Sequence, residues 1–189
     1  IPNRILKNID VDKKGFINFL FTDERIKEEL EKIWNKKQSY SRLNIGKNKK
    51  VLIEFISANP TGPLHIGHGR GAALGATISN ILNETGFSVT KEYYVNDIGN
   101  QIDLLIESVK SRFFEMKNRD YTFPEQGYRG KYIYEIAEGI NENFSDDKIK
   151  KVAIKKILNS IKADLKSFNV EFDKWFNEST LYKENTVDK

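Results

Sequence analysis

Two histidines, the only two in the chain, lie three residues apart in the run Glu54-Phe55-Ile56-Ser57-Ala58-Asn59-Pro60-Thr61-Gly62-Pro63-Leu64-His65-Ile66-Gly67-His68-Gly69-Arg70-Gly71. Helical spacing resumes just after His65, which puts both imidazoles at a helix N-terminus, where free backbone N–H groups and the positive end of the dipole favour phosphate. Imidazoles held there can donate hydrogen bonds to non-bridging oxygens as charge builds on a phosphate under attack. Gly67 between them lets the backbone approach a ligand closely. The bland alternative is a pair of surface histidines in a Gly/Pro-rich loop. A dinucleotide-binding loop is a second rival, because Gly67-x-Gly69-x-x-Ala72 formally fits the glycine fingerprint. It fails on placement. Ten residues, two of them prolines, separate Ile56 from Gly67, whereas the fingerprint glycines follow their strand in a tight turn.

The elements that must position this run can be read from the periodicity around it. Val51 to Ile56 is a nearly continuous apolar, β-branched run, as in a central strand buried on both faces of a parallel sheet. Pro60, Gly62 and Pro63 then force a turn. Ala72, Leu74, Ile78, Ile81 and Leu82 mark a helix that stops at Gly86, and Ser88–Val95 reads as a second strand. Strand, turn, helix, strand is a βαβ crossover, which binds ligands at the carboxyl ends of its strands. Upstream, Gly15–Leu20 alternates like a short strand, and Thr22 is placed to cap a helix with an apolar face of Ile26, Leu30, Ile33 and Trp34. Residues 36–50 lose all periodicity, as a connector does, with a boundary near Lys47. Downstream the pattern is helical. Ile98, Ile102, Leu105, Ile106, Val109 and Phe113 share one face, Tyr132, Ile133, Ile136, Ala137 and Ile140 a second, and Val152, Ile154, Leu158, Ile161, Leu165 and Phe168 a third. Val170 and Phe172 are expected to form a short strand before Trp175-Phe176.

Composition narrows the field. At 189 residues, with 39% hydrophobic and 31% charged residues, the chain can bury a core and is not a disordered tail. A net charge of +4 permits a polyanionic partner without requiring one. The absence of cysteine removes disulfides, thiolate metal sites and a cysteine nucleophile, and agrees with a reducing, cytoplasmic setting. No apolar run approaches the roughly 20 residues of a membrane span, and no secretion signal opens the chain. The first residue is Ile1 and the last are Thr186-Val187-Asp188-Lys189, so the expectation is a piece of something longer.

His65-Ile66-Gly67-His68 after a parallel strand resembles the signature of the class I aminoacyl-tRNA synthetases, and its flanks resemble the arginyl-tRNA synthetase version. The resemblance continues in family order through Tyr93-Tyr94-Val95-Asn96-Asp97-Ile98-Gly99-Asn100-Gln101-Ile102, Tyr128-Arg129-Gly130-Lys131-Tyr132-Ile133 and Phe172-Asp173-Lys174-Trp175-Phe176-Asn177-Glu178-Ser179, covering nearly the whole chain. Small adenylyltransferases and other class I synthetases share His-x-Gly-His; Ser57-Ala58-Asn59-Pro60 and the Asn96 to Gln101 run favour the arginine family. The fold it implies is α/β: the first half of a Rossmann-like nucleotide-binding fold with parallel strands, a mainly helical insertion (about 98–168), and the tail of a small N-terminal α/β domain. Residues 1–46 would be the end of that extra domain plus linker, and 47–189 the half-fold.

The resemblance also implies roles. His65 and His68 would act in catalysis, with Gly67 beside them in contact with ATP. Ser57, Asn59 and His68 would hold the backbone end of L-arginine, and Glu178 its guanidinium, as charge-assisted pairing requires. Loop capping by Ser57 and Asn59, a solvated Glu178, and helix capping by Asp97 are the structural alternatives. Tyr128, Tyr132 and Tyr134 read as helix packing and receive no site. ATP with accompanying Mg²⁺, L-arginine and tRNA(Arg) are the implied partners, with no protein ligand for the metal, no membrane and no stable protein partner. Gly62 stands where some family members carry lysine; those members tend to lack a later Lys-Met-Ser-Lys loop, so Gly62 implies a parent that keeps it. The isolated chain is expected to show little ligase activity. A non-catalytic nucleotide- or RNA-binding paralogue is the alternative.

Overall fold

The computed structural model describes residues 4–183; the terminal residues Thr186–Lys189 noted above lie outside that range. Two strands, β1 (Leu6–Val11) and β2 (Ile17–Phe21), form an antiparallel hairpin. Its turn is made by Asp12, whose carboxylate accepts from Lys14 N (2.7 Å) and Phe16 N (3.2 Å), while Gly15 takes φ +86°. Helix α1 (Asp23–Lys36) starts as its sequence requires, with the Thr22 hydroxyl accepting from Arg25 N at 3.2 Å. Its apolar face differs from expectation. Ile26, Leu30, Ile33 and Trp34 are 42–80% exposed, because nothing among the described residues is layered over them.

The main unit is a three-stranded parallel sheet with strands β3 (Lys50–Glu54), β4 (Ser88–Val95) and β5 (Lys174–Asn177) in the order β3-β4-β5. Helix α2 (Ile66–Glu84) is the crossover from β3 to β4. The predicted β3 is present; among the described residues it lies at the edge of the sheet, with Leu52 59% exposed, and β4, bonded on both sides, is flanked by β3 and β5, with Tyr93 and Val95 fully buried.

Three helices, α3 (Asn100–Met116), α4 (Lys131–Ala137) and α5 (Asp146–Ser167), fill the connection from β4 to β5 and supply most of the core: Ile102, Leu105, Val109, Ile133, Ile136, Ala153, Ile161 and Leu165. Ile98 lies outside α3, whose cap is Gly99 at φ +86°. The fully inward stripe of α5 is Ile149, Ala153, Ile157, Ile161 and Leu165, one i+4 row, while Val152, Ile154 and Leu158 pack at its margin.

The strand expected at Val170–Phe172 begins later, at Lys174. Val170 is used to close α5. Asn169 adopts φ +59°, Val170 N donates to Leu165 O (2.8 Å) and Asn169 N to Lys166 O (3.0 Å). That is a Schellman ending with its apolar contact between Val170 and Leu165. Phe172 packs on Phe55 and Tyr93 at centroid distances of 4.5 and 5.3 Å. A last turn, α6 (Ser179–Lys183), follows β5. No described helix is long and apolar enough to cross a membrane.

Candidate active site

The loop from β3 to α2 is bent out of the sheet by two residues in the left-handed region, Ile56 at φ +67° and Ser57 at φ +39°. For a β-branched isoleucine this is a strained backbone, costing on the order of 1–3 kcal/mol. Three contacts hold it. Ser57 Oγ accepts from Tyr94 N (3.1 Å), Ala58 O from the Tyr93 hydroxyl (3.0 Å), and Thr61 O from the Tyr132 hydroxyl (2.8 Å). Burial pushes the hydroxyls of Tyr93 and Tyr132 up to about 12, so both remain protonated donors across the physiological range. Strain kept in place by buried donors is characteristic of a functional loop.

That loop delivers the histidines. His65 caps α2, its Nδ1 accepting from Gly67 N at 3.1 Å, and His68 Nδ1 accepts from His65 N at 3.2 Å. The rings stack with centroids 3.7 Å apart, 23° from parallel. With both Nδ1 atoms accepting, each neutral ring carries its proton on Nε2, leaving two N–H donors side by side at a helix N-terminus. A Cβ at Gly67 would stand 3.0 Å from His65 Cε1. The glycine therefore makes room for the imidazole.

Burial, and then the charge of His65, lower the pKa of His68. A depressed value means that the folded protein prefers the neutral ring. The contribution of this cap is complete above the unfolded histidine value of about 6.5 and is lost as pH falls below it. The difference in thermal midpoint between wild type and His68→Ala is expected to be widest at pH 7.5 and to shrink at pH 5.5.

The histidines line a cleft of 390 Å³ with Ala58, Asn59, Thr61, Gly62, Tyr128 and Tyr132. Within it, Asn59 Nδ2 donates to Gln101 Oε1 (2.7 Å) on α3. At the ends of β4 and β5, Asn96, with its amide nitrogen turned toward them, donates to Glu178 Oε2 (2.7 Å) and Ile98 O (3.0 Å). Glu178 is half-buried, not the solvated surface residue of the bland reading. Asp97 is buried and accepts from Ser179 N (2.8 Å) and Ser179 Oγ (2.7 Å). It therefore tethers the start of α6 rather than capping α3. Burial, followed by Glu178, raises the Tyr94 hydroxyl, with Asp97 and Glu54 adding to the effect. This corner is negative and suits a cation.

Ser57, Asn59, His65, Gly67, His68 and Glu178 thus all fall at the carboxyl edge of one parallel sheet. Among the described residues no group of three His, Asp or Glu is placed to hold a metal ion. Sequence reasoning misses Tyr132 and Tyr128. Tyrosines at helical spacing look like packing residues, and only the fold brings Tyr132 to Thr61, 71 residues away. Tyr134 does turn away, placing its ring against Arg112. Tyr132→Phe removes one hydrogen bond from the strained loop and is expected to lower stability by about 1 kcal/mol, as measured by urea unfolding of the two proteins.

Residues 29–186 match the family model described as tRNA synthetases class I (R), catalytic domain. An arginine–tRNA ligase from Shouchella clausii is 40% identical over 97% of this chain and 35% of its own length. One from Carboxydothermus hydrogenoformans is 40% identical over 98% and 35% respectively. Among solved structures, one from Campylobacter jejuni designated an arginyl-tRNA synthetase superposes with a TM-score of 0.75 at 32% identity, covering 88% of this chain and 40% of that one. The chain spans little more than a third of the length of these curated relatives.

Proposed function

The chain belongs to the class I arginyl-tRNA synthetase family, within its catalytic domain, and from that premise we propose that the full-length protein attaches L-arginine to tRNA(Arg) through arginyl-AMP. The observation that carries this reading is the stacked pair of imidazoles at the N-terminus of α2, facing the same sheet edge as Glu178. Residues 47–189 would form the first half of the nucleotide-binding fold with its helical insertion, and 1–46 the end of a preceding domain plus linker. A reducing, cytoplasmic setting fits the cysteine-free composition.

In the proposed reaction an arginine carboxylate oxygen attacks the α-phosphorus of ATP. The new O–P bond gives arginyl-AMP, and the P–O bond to pyrophosphate breaks. The Nε2–H groups of His65 and His68 and the dipole of α2 would meet the charge that builds on the phosphate oxygens. Neither histidine need transfer a proton, since the attacking carboxylate is already ionised and pyrophosphate leaves as an anion. Mg²⁺ would enter with ATP, bound chiefly through its phosphates. Asn59, held by Gln101, and Ser57 would hold the amino-acid backbone. The terminal adenosine hydroxyl of the tRNA then attacks the arginyl carbonyl and AMP leaves.

Glu178 would pair with the guanidinium. Charge-assisted bonds to arginine contribute about 1.5–3 kcal/mol, so Glu178→Gln in the full-length protein is expected to raise the KM for arginine roughly 10- to 100-fold while leaving the KM for ATP near its original value. Equal effects on both would remove Glu178 from the guanidinium site. The test of the reading as a whole is amino-acid-dependent ATP–pyrophosphate exchange.

A further inference from the structure

Asn59 lines the histidine cleft, and the backbone on both sides of it is fixed. Ala58 O accepts from the Tyr93 hydroxyl, Thr61 O accepts from the Tyr132 hydroxyl, and Pro60 is fully buried. What this leaves free is the Asn59 amide, which can turn over about χ2 and exchange its oxygen for its nitrogen. Its one side-chain partner among the described residues is Gln101, whose Oε1 accepts from Asn59 Nδ2 at 2.7 Å. Gln101 lies in the first turn of α3, ahead of the buried Ile102 and Leu105, and does not itself line the cleft. Both amides are exposed, where water can replace their hydrogen bond at little cost to stability. The bond joins a loop to a helix 42 positions away, and its effect is one of orientation. It holds Nδ2 toward α3 and leaves Asn59 Oδ1 without a partner among the described residues.

From this arrangement, and resting on the ligase reading above, we infer that Gln101 is a positioning residue for the amino-acid substrate: it sets the Asn59 amide so that Oδ1 meets the α-ammonium of L-arginine. An ammonium has three N–H donors and no acceptor, so it pairs with the amide oxygen and finds no acceptor on the amide nitrogen. Without Gln101 the amide divides its time between two orientations, and the substrate loses the contact in one of them. The opposite assignment of the pair, with Gln101 Nε2 donating to Asn59 Oδ1, would engage that oxygen and present N–H groups, which suit a carboxylate. The two assignments predict different responses to glutamate at position 101, since an ionised carboxylate can only accept.

The test is arginine-dependent ATP–pyrophosphate exchange in the full-length protein, together with the side-chain amide spectrum of the same protein labelled with ¹⁵N-asparagine, in which the Asn59 signals are identified by their absence in Asn59→Ala. Gln101→Leu is expected to raise the KM for arginine about 3- to 10-fold, the effect of one neutral hydrogen bond, with kcat, the KM for ATP and the melting temperature close to wild type. Gln101→Glu keeps the acceptor and should stay within about twofold of wild type. In an Asn59→Ala background, Gln101→Leu should change nothing further. Among competitors, agmatine, which keeps the amine and lacks the carboxylate, should weaken with Gln101→Leu as arginine does, whereas δ-guanidinovalerate, which lacks the amine, should not. A Gln101→Glu variant as poor as Gln101→Leu, an undiminished effect of Gln101→Leu on Asn59→Ala, a lowered melting temperature with unchanged KM, or equal weakening of both competitors would each overturn the assignment. In the spectrum, the Asn59 signals should move in Gln101→Leu and keep their hydrogen-bonded position in Gln101→Glu. That pattern in a protein without arginine-dependent exchange would keep the amide pair and remove the ligase reading, and with it the role toward arginine. Exchange with the Asn59 signals unmoved in Gln101→Leu would remove the positioning role and keep the ligase reading.

Discussion

His68→Ala in the full-length protein is expected to slow arginine-dependent ATP–pyrophosphate exchange by about 10²–10³-fold, the effect of deleting one positioned donor to a developing oxyanion. The expectation rests on the pair rather than on either ring. Each Nδ1 accepts a backbone N–H, so each Nε2 is left as a donor, and the 3.7 Å stack keeps the two donors together. Loss of the cap contributes separately, at about 1 kcal/mol of stability. A melting curve for the same variant therefore distinguishes the two effects: a small downward shift accompanied by a large loss of exchange locates the role in chemistry.

The largest effect on folding is expected at Gly75, on the buried side of α2. A Cβ there would lie 2.2 Å from Phe55 Cγ and 2.8 Å from Phe55 Cβ, and Phe55 is itself packed on Phe172 at 4.5 Å. Because the clash reaches Phe55 Cβ, turning the ring does not relieve it. Gly75→Ala gains about 1 kcal/mol of helix propensity and incurs overpacking of about 1–3 kcal/mol, occasionally more. The variant should therefore melt several degrees lower, at roughly 2–4 °C per kcal/mol for a chain of this size. Gly69 and Gly71 lie on the same helix, where an added Cβ would meet nothing within 4 Å, and Gly69→Ala and Gly71→Ala should be neutral or stabilising. Differential scanning calorimetry of the three variants checks the contrast.

What is legible in the sequence is local. Thr22, Gly86 and the proline-interrupted loop act through their own backbone geometry, and the apolar run of β3 announces a strand. Features that depend on partners distant in sequence are not legible. An apolar run does not say which strand is bonded on both sides, and among the described residues that strand is β4. Val170 looks like a strand residue because nothing local shows that it closes α5 onto Leu165. The α1 stripe signals burial in any helix, whether or not a covering layer is among the described residues. At the site, the histidines stand out because they are close in sequence. The Tyr132 latch on Thr61 and the Asp97 tether to Ser179 join residues 71 and 82 positions apart. At Gly67 the absent side chain also leaves room for the His65 ring, a neighbour that the sequence does not single out.

The central claim is best tested by measuring ATP–pyrophosphate exchange in the full-length protein against a panel of amino acids, with and without tRNA, alongside His68→Ala. Exchange driven by arginine alone among the amino acids and lost in His68→Ala is the predicted result. No exchange with any amino acid, in a folded protein that still binds ATP or RNA, would contradict the account and leave a non-catalytic nucleotide- or RNA-binding member of the family.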